Sequence, residues 1–340
     1  MVRILFVIAL VVFSGQQLHS QDIHFTQYYF SPLNTNPAYV GDFDGDFRIV
    51  GNHRSQWGAV VDQQFLTSGI SFDQNLTIYN HQVAVGGNFA HDQSSIGYLQ
   101  QNKLELAGSY TKFIKGNELR GGIQFGLLHK GIDYNKYSYP SQFNMDDGYF
   151  DNTSMSNMEN FAQNNNYRLN VNLGLAWRKK INNKLTPQAG LSFMHINAPK
   201  ESFNGDNANR FKLRTILDLR ANYYFSDKIT IVPTILFMNQ NKAQELVWGG
   251  MVRYKVAANK HKLYDVFGGI SSRNGFTRNY DAFNLLVGGT VREFQLGISY
   301  DINVSELSSI SHYRGAFELS LIYTAKNTKP KLYNVPCDRL

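Results

Sequence analysis

Tyr167–Lys180 reads YRLNVNLGLAWRKK, and its alternation decides the fold. Leu169, Val171, Leu173, Leu175 and Trp177 fall on one side, and Arg168, Asn170, Asn172, Gly174, Ala176 and Arg178 on the other. A strand sends successive side chains to opposite faces, so this segment has one apolar and one polar wall. Taken alone, it suits a half-buried strand of a soluble sandwich as well as a strand crossing a membrane. Recurrence of the pattern separates the two.

Alternating segments bounded by turn residues fall near 46–53, 66–73, 82–91, 103–114, 119–128, 167–178, 185–195, 211–225, 229–238, 245–256, 263–271, 281–291, 294–302 and 313–324. These are about fourteen segments, each close to the roughly 10 residues that a tilted membrane strand needs. Their connections alternate in length. After even-numbered segments come the short stretches QNLTIYNH, KGNE, KINNK, SDK, AANKHK and RE; after odd-numbered ones come longer stretches, the extreme being His129 to Asn166. Outer-membrane barrels have short periplasmic turns and longer outside loops, an asymmetry for which a sandwich has no reason. The expected fold is therefore all-β: a transmembrane antiparallel up-and-down β-barrel over residues 46–324, with 129–166 as a long extracellular loop. An even strand count places both mature ends, the segment 21–45 and the tail 325–340, on the periplasmic side. Tyr110, Trp177, Tyr223, Tyr254, Tyr264 and Tyr323 then lie towards the periplasmic strand ends, where a girdle of amphipathic rings is expected.

Composition agrees. Aromatic residues make up 14% of the chain and charged residues only 17%, with 28 Gly and a mean hydropathy of −0.33. After the run Ile4 to Phe13 there is no second long apolar stretch, which excludes a helical membrane protein. That first run follows Arg3, is too short to span a bilayer, and reads with residues 1–20 as a secretory signal peptide cut near Ser20 and Gln21. The net charge of +7 is not clustered, so no nucleic acid partner is expected. A single cysteine, Cys337, excludes an internal disulfide framework.

The faces opposite the apolar ones carry Arg168, Arg214, Asp218, Arg220, Arg253 and Glu318, along with Glu105, Arg120, Gln124, Asp265 and Asp301. A lumen of this kind either prefers anions as a pore or pairs its bases and acids across a wet interior; the second reading is favoured. No catalytic constellation emerges. His195 and His312 fall near the outside strand ends with Ser202, Ser309 and Ser311 nearby, yet no spacing ties them together, and they read as solvated rim histidines. GDFDGD, Gly41 to Asp46, has Phe47 and His53 where a calcium loop needs Gly and Glu, so it reads as a turn leading into the first strand. No enzyme activity, metal or cofactor is expected.

Three stretches near the mature N-terminus are more specific: Gln21 to Tyr29 (QDIHFTQYY), Asn36-Pro37-Ala38-Tyr39-Val40-Gly41, and Asn52-His53-Arg54-Ser55-Gln56-Trp57. Together they closely resemble the PorP/SprF family, outer-membrane proteins associated with the type IX secretion and gliding machinery of Bacteroidetes. The likeness runs from Gln21 to the end. Lys331 to Leu340, KLYNVPCDRL, is similar to the family's closing segment, with Asp338 where a second Pro is expected. The resemblance implies a fourteen-stranded barrel in the outer membrane that acts by protein contact, as an accessory of type IX secretion helping to export or attach a surface adhesin. Its implied partners are that secreted client, machinery components and outer-membrane lipid.

Residue chemistry adds two expectations. Asn36-Pro37 forces an extended or turned backbone and Gly41 allows a tight turn, so 21–45 is expected to plug the periplasmic mouth rather than extend freely. Tyr134, Tyr137, Tyr139, Phe143, Tyr149 and Phe150 of the long loop offer rigid aromatic area, either for a partner or for folding inward over the barrel. The alternative function is a general diffusion porin, which would conduct as the purified protein. A barrel enzyme acting on lipid ranks third and would lose activity with His195 or His312 mutated.

Overall fold

Two-residue turns set the register of the sheet. Tyr79 and Asn80 join β2 (Phe65–Ile78) to β3 (His81–Ser94), and Lys115 and Gly116 join β4 (Leu99–Ile114) to β5 (Asn117–Gly131). Their φ angles are 47°, 65°, 49° and 77°. Positive φ at both central residues defines the primed turn whose twist matches that of paired strands.

The computed structural model describes residues 23–58, 64–94, 99–133, 137–145, 148–151, 165–202, 209–241, 243–259, 262–275, 280–306 and 308–325, with 257–259 and 262–264 described by backbone alone. The barrel begins at β1 (Phe47–Gln56). After β5, a small hairpin of β6 (Phe143–Asn144) and β7 (Tyr149–Phe150) sits in the long loop. The wall continues with β8 (Asn165–Lys179), β9 (Leu185–Met194), β10 (Arg214–Tyr224), β11 (Ile229–Gln240) and β12 (Ala243–Asn259). It ends with β13 (Lys262–Asn274), β14 (Tyr280–Val291), β15 (Phe294–Asn303) and β16 (Arg314–Thr324). β1 pairs antiparallel with β16, Arg48 opposite Thr324, and so closes fourteen strands into a barrel with no free edge. Every segment expected from alternation overlaps one of these strands, although 211–225 begins three residues before β10. The stretch QNLTIYNH is a correction: most of it is strand, and only Tyr79 and Asn80 turn. Loops at the opposite end are not uniformly long either, since β11 stops at Gln240 and β12 starts at Ala243.

The exterior is apolar. Leu106 is 67% exposed and Leu169 73%, and Leu104, Phe125, Leu175, Ile270 and Val287 are likewise exposed. A soluble monomer rarely shows so extensive an apolar surface, whereas a closed barrel in lipid requires it. Rings collect at the short-turn rim: Tyr110, Tyr223 and Tyr254 are exposed, and the Trp177 indole N–H donates to Asn117 (3.0 Å).

Inside, the wall is polar only in part, where polar inward faces were expected. Val50, Val232, Met251, Phe267, Leu286 and Ile322 face inward and pack around Phe30, and Met194, Ile216, Leu236, Met238 and Val247 pack around Tyr28. A barrel of about eight strands can be filled by its own side chains, but larger ones leave a bore. Here residues 23–46 run through it, in a 3-10 turn Tyr28–Phe30, one α-helical turn Pro32–Thr35 and a second 3-10 turn Pro37–Tyr39. The Ile23 carbonyl accepts from Arg214, the first residue of β10, at the long-loop end. At the other end the Asp46 N–H donates to the Ala325 carbonyl (3.1 Å). Ile23 and Ala325 therefore lie at opposite ends of the barrel, and the expectation of both mature ends on one side is not met by the first described residues. Counting strand crossings omits the extra passage that this inner segment makes.

Candidate functional site

The inner segment meets the wall most closely at Asn36-Pro37-Ala38-Tyr39. Asn36 has an extended backbone (φ −155°, ψ 122°), and its Oδ1 accepts from the Ala38 N–H, capping the turn that Pro37 begins. Its Nδ2 donates across to the Leu175 carbonyl (3.1 Å). Gly122 of β5 and Gly174 of β8 are directly paired, and both face this turn. A Cβ on Gly122 would overlap the Pro37 carbonyl and the Ala38 nitrogen, and one on Gly174 would overlap the Asn36 side-chain oxygen. Glycine permits this approach of backbone to backbone. Tyr39 then reaches Asp218, its buried hydroxyl donating to Oδ1, while the Arg220 guanidinium lies 5.5 Å from the ring centre.

Two charged anchors hold the segment at the short-turn end. The Gly41 N–H donates to Asp73 (2.8 Å), and Arg48 grips the same carboxylate through Nε and Nη2 (2.9 and 2.7 Å). Bidentate pairing of this kind fixes geometry as well as charge. Gly41 itself has φ 74°, the turn its lack of a Cβ allows. The Asp42 carboxylate accepts from Arg178 (2.8 Å), Arg220 (3.0 Å) and Gln188 (2.8 Å), with Arg120 at 3.7 Å.

A third anchor lies at the long-loop end. Glu318 accepts from the backbone N–H groups of Thr26 (2.7 Å) and Gln27 (3.0 Å). Arg54 pairs with Glu318 and with Asp301 (3.1 Å), and Arg273 also reaches Asp301 (3.0 Å). Arg54 and Arg273 both donate to the Thr26 hydroxyl (2.6 and 3.0 Å). Between the ends, the Ser109, Ser192, Asn52 and Gln124 side chains donate to carbonyls of Val40, Thr35, Phe30 and Leu33.

The structure thus gathers Asn36, Pro37, Ala38, Tyr39, Gly41 and Arg54 around one feature. Ser55, Gln56 and Trp57 stay near the rim: Ser55 donates to Gln64 (2.6 Å), Gln56 accepts from Arg54 (3.2 Å), and Trp57 packs edge-on against Phe65. Of the expected lumen set, Arg214, Asp218, Arg220 and Glu318 hold the inner segment. Arg253 pairs with Asp265 (3.1 Å) and lies over Phe267, and Arg168 donates to the Tyr167 carbonyl (2.6 Å). Acids and bases pair at Arg54, Arg220, Arg253 and Arg273, around a bore filled by the inner segment. Asp42 was read as part of a simple turn; its role, with those of Arg48 and Asp73, is not marked by any spacing. The expectation of a solvated His195 is corrected. It is 1% exposed, its backbone N–H donates to Asn172 (2.9 Å), its Nδ1 lies 2.8 Å from Asn170 Oδ1, and its ring packs on Phe211. His312 is exposed at the long-loop rim. In the long loop, Phe143 and Phe150 stack edge to face (5.0 Å) and are exposed with Tyr149; Tyr137 lies 6.3 Å from Tyr139, and Tyr134 lies outside the described residues.

A closed fourteen-stranded wall, greasy outside and laced with ion pairs inside, defines a transmembrane β-barrel. Among solved structures the chain is similar to the CymD monoaromatic hydrocarbon channel, at 9% identity over 92% of this chain and 96% of that one, with a TM-score of 0.50. It is also similar to a TodX monoaromatic hydrocarbon channel deltaS2 mutant, at 10% identity over 86% and 93%, with a TM-score of 0.50. At such identities the likeness concerns the fold alone. No curated protein matches the chain in sequence. The model of the family of type IX secretion system membrane proteins PorP/SprF matches residues 17–323, and the chain belongs to that family.

Proposed function

We propose that this protein is an outer-membrane accessory of type IX secretion that works by protein contact, with residues 23–46 acting as a plug. In this reading residues 1–20 are a removed signal peptide, the short-turn rim faces the periplasm and the long loop faces outward. The client is a secreted surface adhesin, which the barrel helps to export or attach, as in gliding motility. The carrying observation is that the inner segment is bonded to the wall at both ends of the bore and packed between them. A general porin has no use for a bore so filled, which is why contact is favoured over diffusion. Exposed Phe143, Tyr149 and Phe150 supply outward area for the client. Purification from native membranes in mild detergent tests the reading. The expected result is a large secreted protein bound to the barrel. Recovery of the barrel alone, conducting as the intact chain in bilayers, would instead establish the porin.

A further inference from the structure

The anchor at the bore's short-turn mouth is also reachable from solvent. Arg120, Arg178 and Arg220 come from three strands, β5, β8 and β10, and converge with Gln188 of β9 on a single carboxylate, that of Asp42. Asp42 is almost wholly buried there, yet Arg178 is 35% exposed and Arg220 29%. The cradle is therefore sealed by its occupant on one side and open to solvent on the other. Glu118 shares two of these arginines, accepting from Arg178 (2.6 Å) and Arg120 (2.6 Å), so only Arg220 faces Asp42 without it; Asp218 accepts from Tyr39.

We propose that this three-arginine cradle is a carboxylate-recognition site holding Asp42 as a built-in occupant, and that an acidic segment of a partner protein takes Asp42's place and unlatches the inner segment. The recognition itself depends only on the geometry above; its consequence for the bore rests on the plug reading. Guanidinium groups fit carboxylates in a planar, directional way, so an incoming Asp or Glu side chain reproduces the bonds that Asp42 gives up. A tethered competitor acts as though present at about millimolar concentration or more, so a lone carboxylate loses to it. A run of acidic residues wins, because its further carboxylates engage the exposed sides of Arg178 and Arg220.

The test uses the full chain in detergent, with a fluorescent hexa-aspartate peptide and a hexa-asparagine control. Asp42→Asn removes the occupant's charge at nearly constant volume and leaves Glu118 on Arg178 and Arg120. Hexa-aspartate should bind this variant at least about tenfold more tightly than the unaltered chain, weaken with salt, and lose the gain in Asp42→Asn/Arg178→Gln. Equal binding by all three chains, or equal binding of hexa-asparagine, overturns the site. In the unaltered chain, saturating hexa-aspartate should speed hydrogen exchange at the amides of Ala38 to Asp42, and hexa-asparagine should not. This second measurement stands even if Asp42→Asn fails to fold; unchanged exchange overturns the unlatching. Neither readout involves a secretion client, so failure here and failure to recover a bound adhesin are distinguishable.

Discussion

Tyr39 and Asp218 form the most sharply testable pair at the residue scale. Removing the hydroxyl in Tyr39→Phe strips a buried carboxylate oxygen of its donor, a loss of about 1–3 kcal/mol. Amides of Ala38 to Gly41 should exchange correspondingly faster, and unchanged rates would mean that the contact does not hold the segment. Arg54 stands between two carboxylates, and replacing it with Met leaves buried Glu318 without its ionic partner and Asp301 with Arg273 alone, at a cost of about 3–5 kcal/mol. A lower denaturant midpoint for the barrel should report it. Asp42 gives a pH dependence. Protonation removes the charge that Arg178 and Arg220 hold, so this anchor is in place at neutral pH and weakens in acid. Bilayer current through the intact chain should stay at baseline at neutral pH and rise in acid.

At the scale of elements, the glycine pair Gly122 and Gly174 sets where the inner segment can lie. Gly174→Val suits a strand by propensity but collides with Asn36. The barrel should still fold, shown by heat-dependent migration in gels, while the segment becomes open to protease. Gly121→Val is the control, because its side chain points to the outside and meets only Leu175 at 3.9 Å. Intact protection in Gly174→Val would refute the docking described here. The wall itself was legible in the sequence, since every strand repeats with period two and its turns carry their own residue signals. The inner segment was legible only as a short motif. It has no alternation, and its partners lie far away in the chain, Asn36 against Leu175 and Thr26 against Glu318. The inward Phe267 and Met251 were not singled out for the same reason: they match Phe30, which nothing in their own strands reveals. His195 likewise carries no local sign of the Asn170 and Asn172 pair that buries it.

For the whole molecule, two solvents and one segment account for the architecture. Lipid dictates the outer face and closes the sheet, because an open edge in hydrocarbon leaves backbone groups unpaired. The inner face answers to residues 23–46, polar where their backbone needs partners and apolar where Tyr28 and Phe30 pack. This division makes the barrel's closure separable from the filling of its bore. The most direct measurement is single-channel recording in planar bilayers of the intact chain and of a chain lacking residues 23–41. The intact protein should be silent and the shortened one should open discrete, long-lived channels. Steady conductance from the intact chain, or silence from a shortened barrel that has demonstrably folded, would contradict the account.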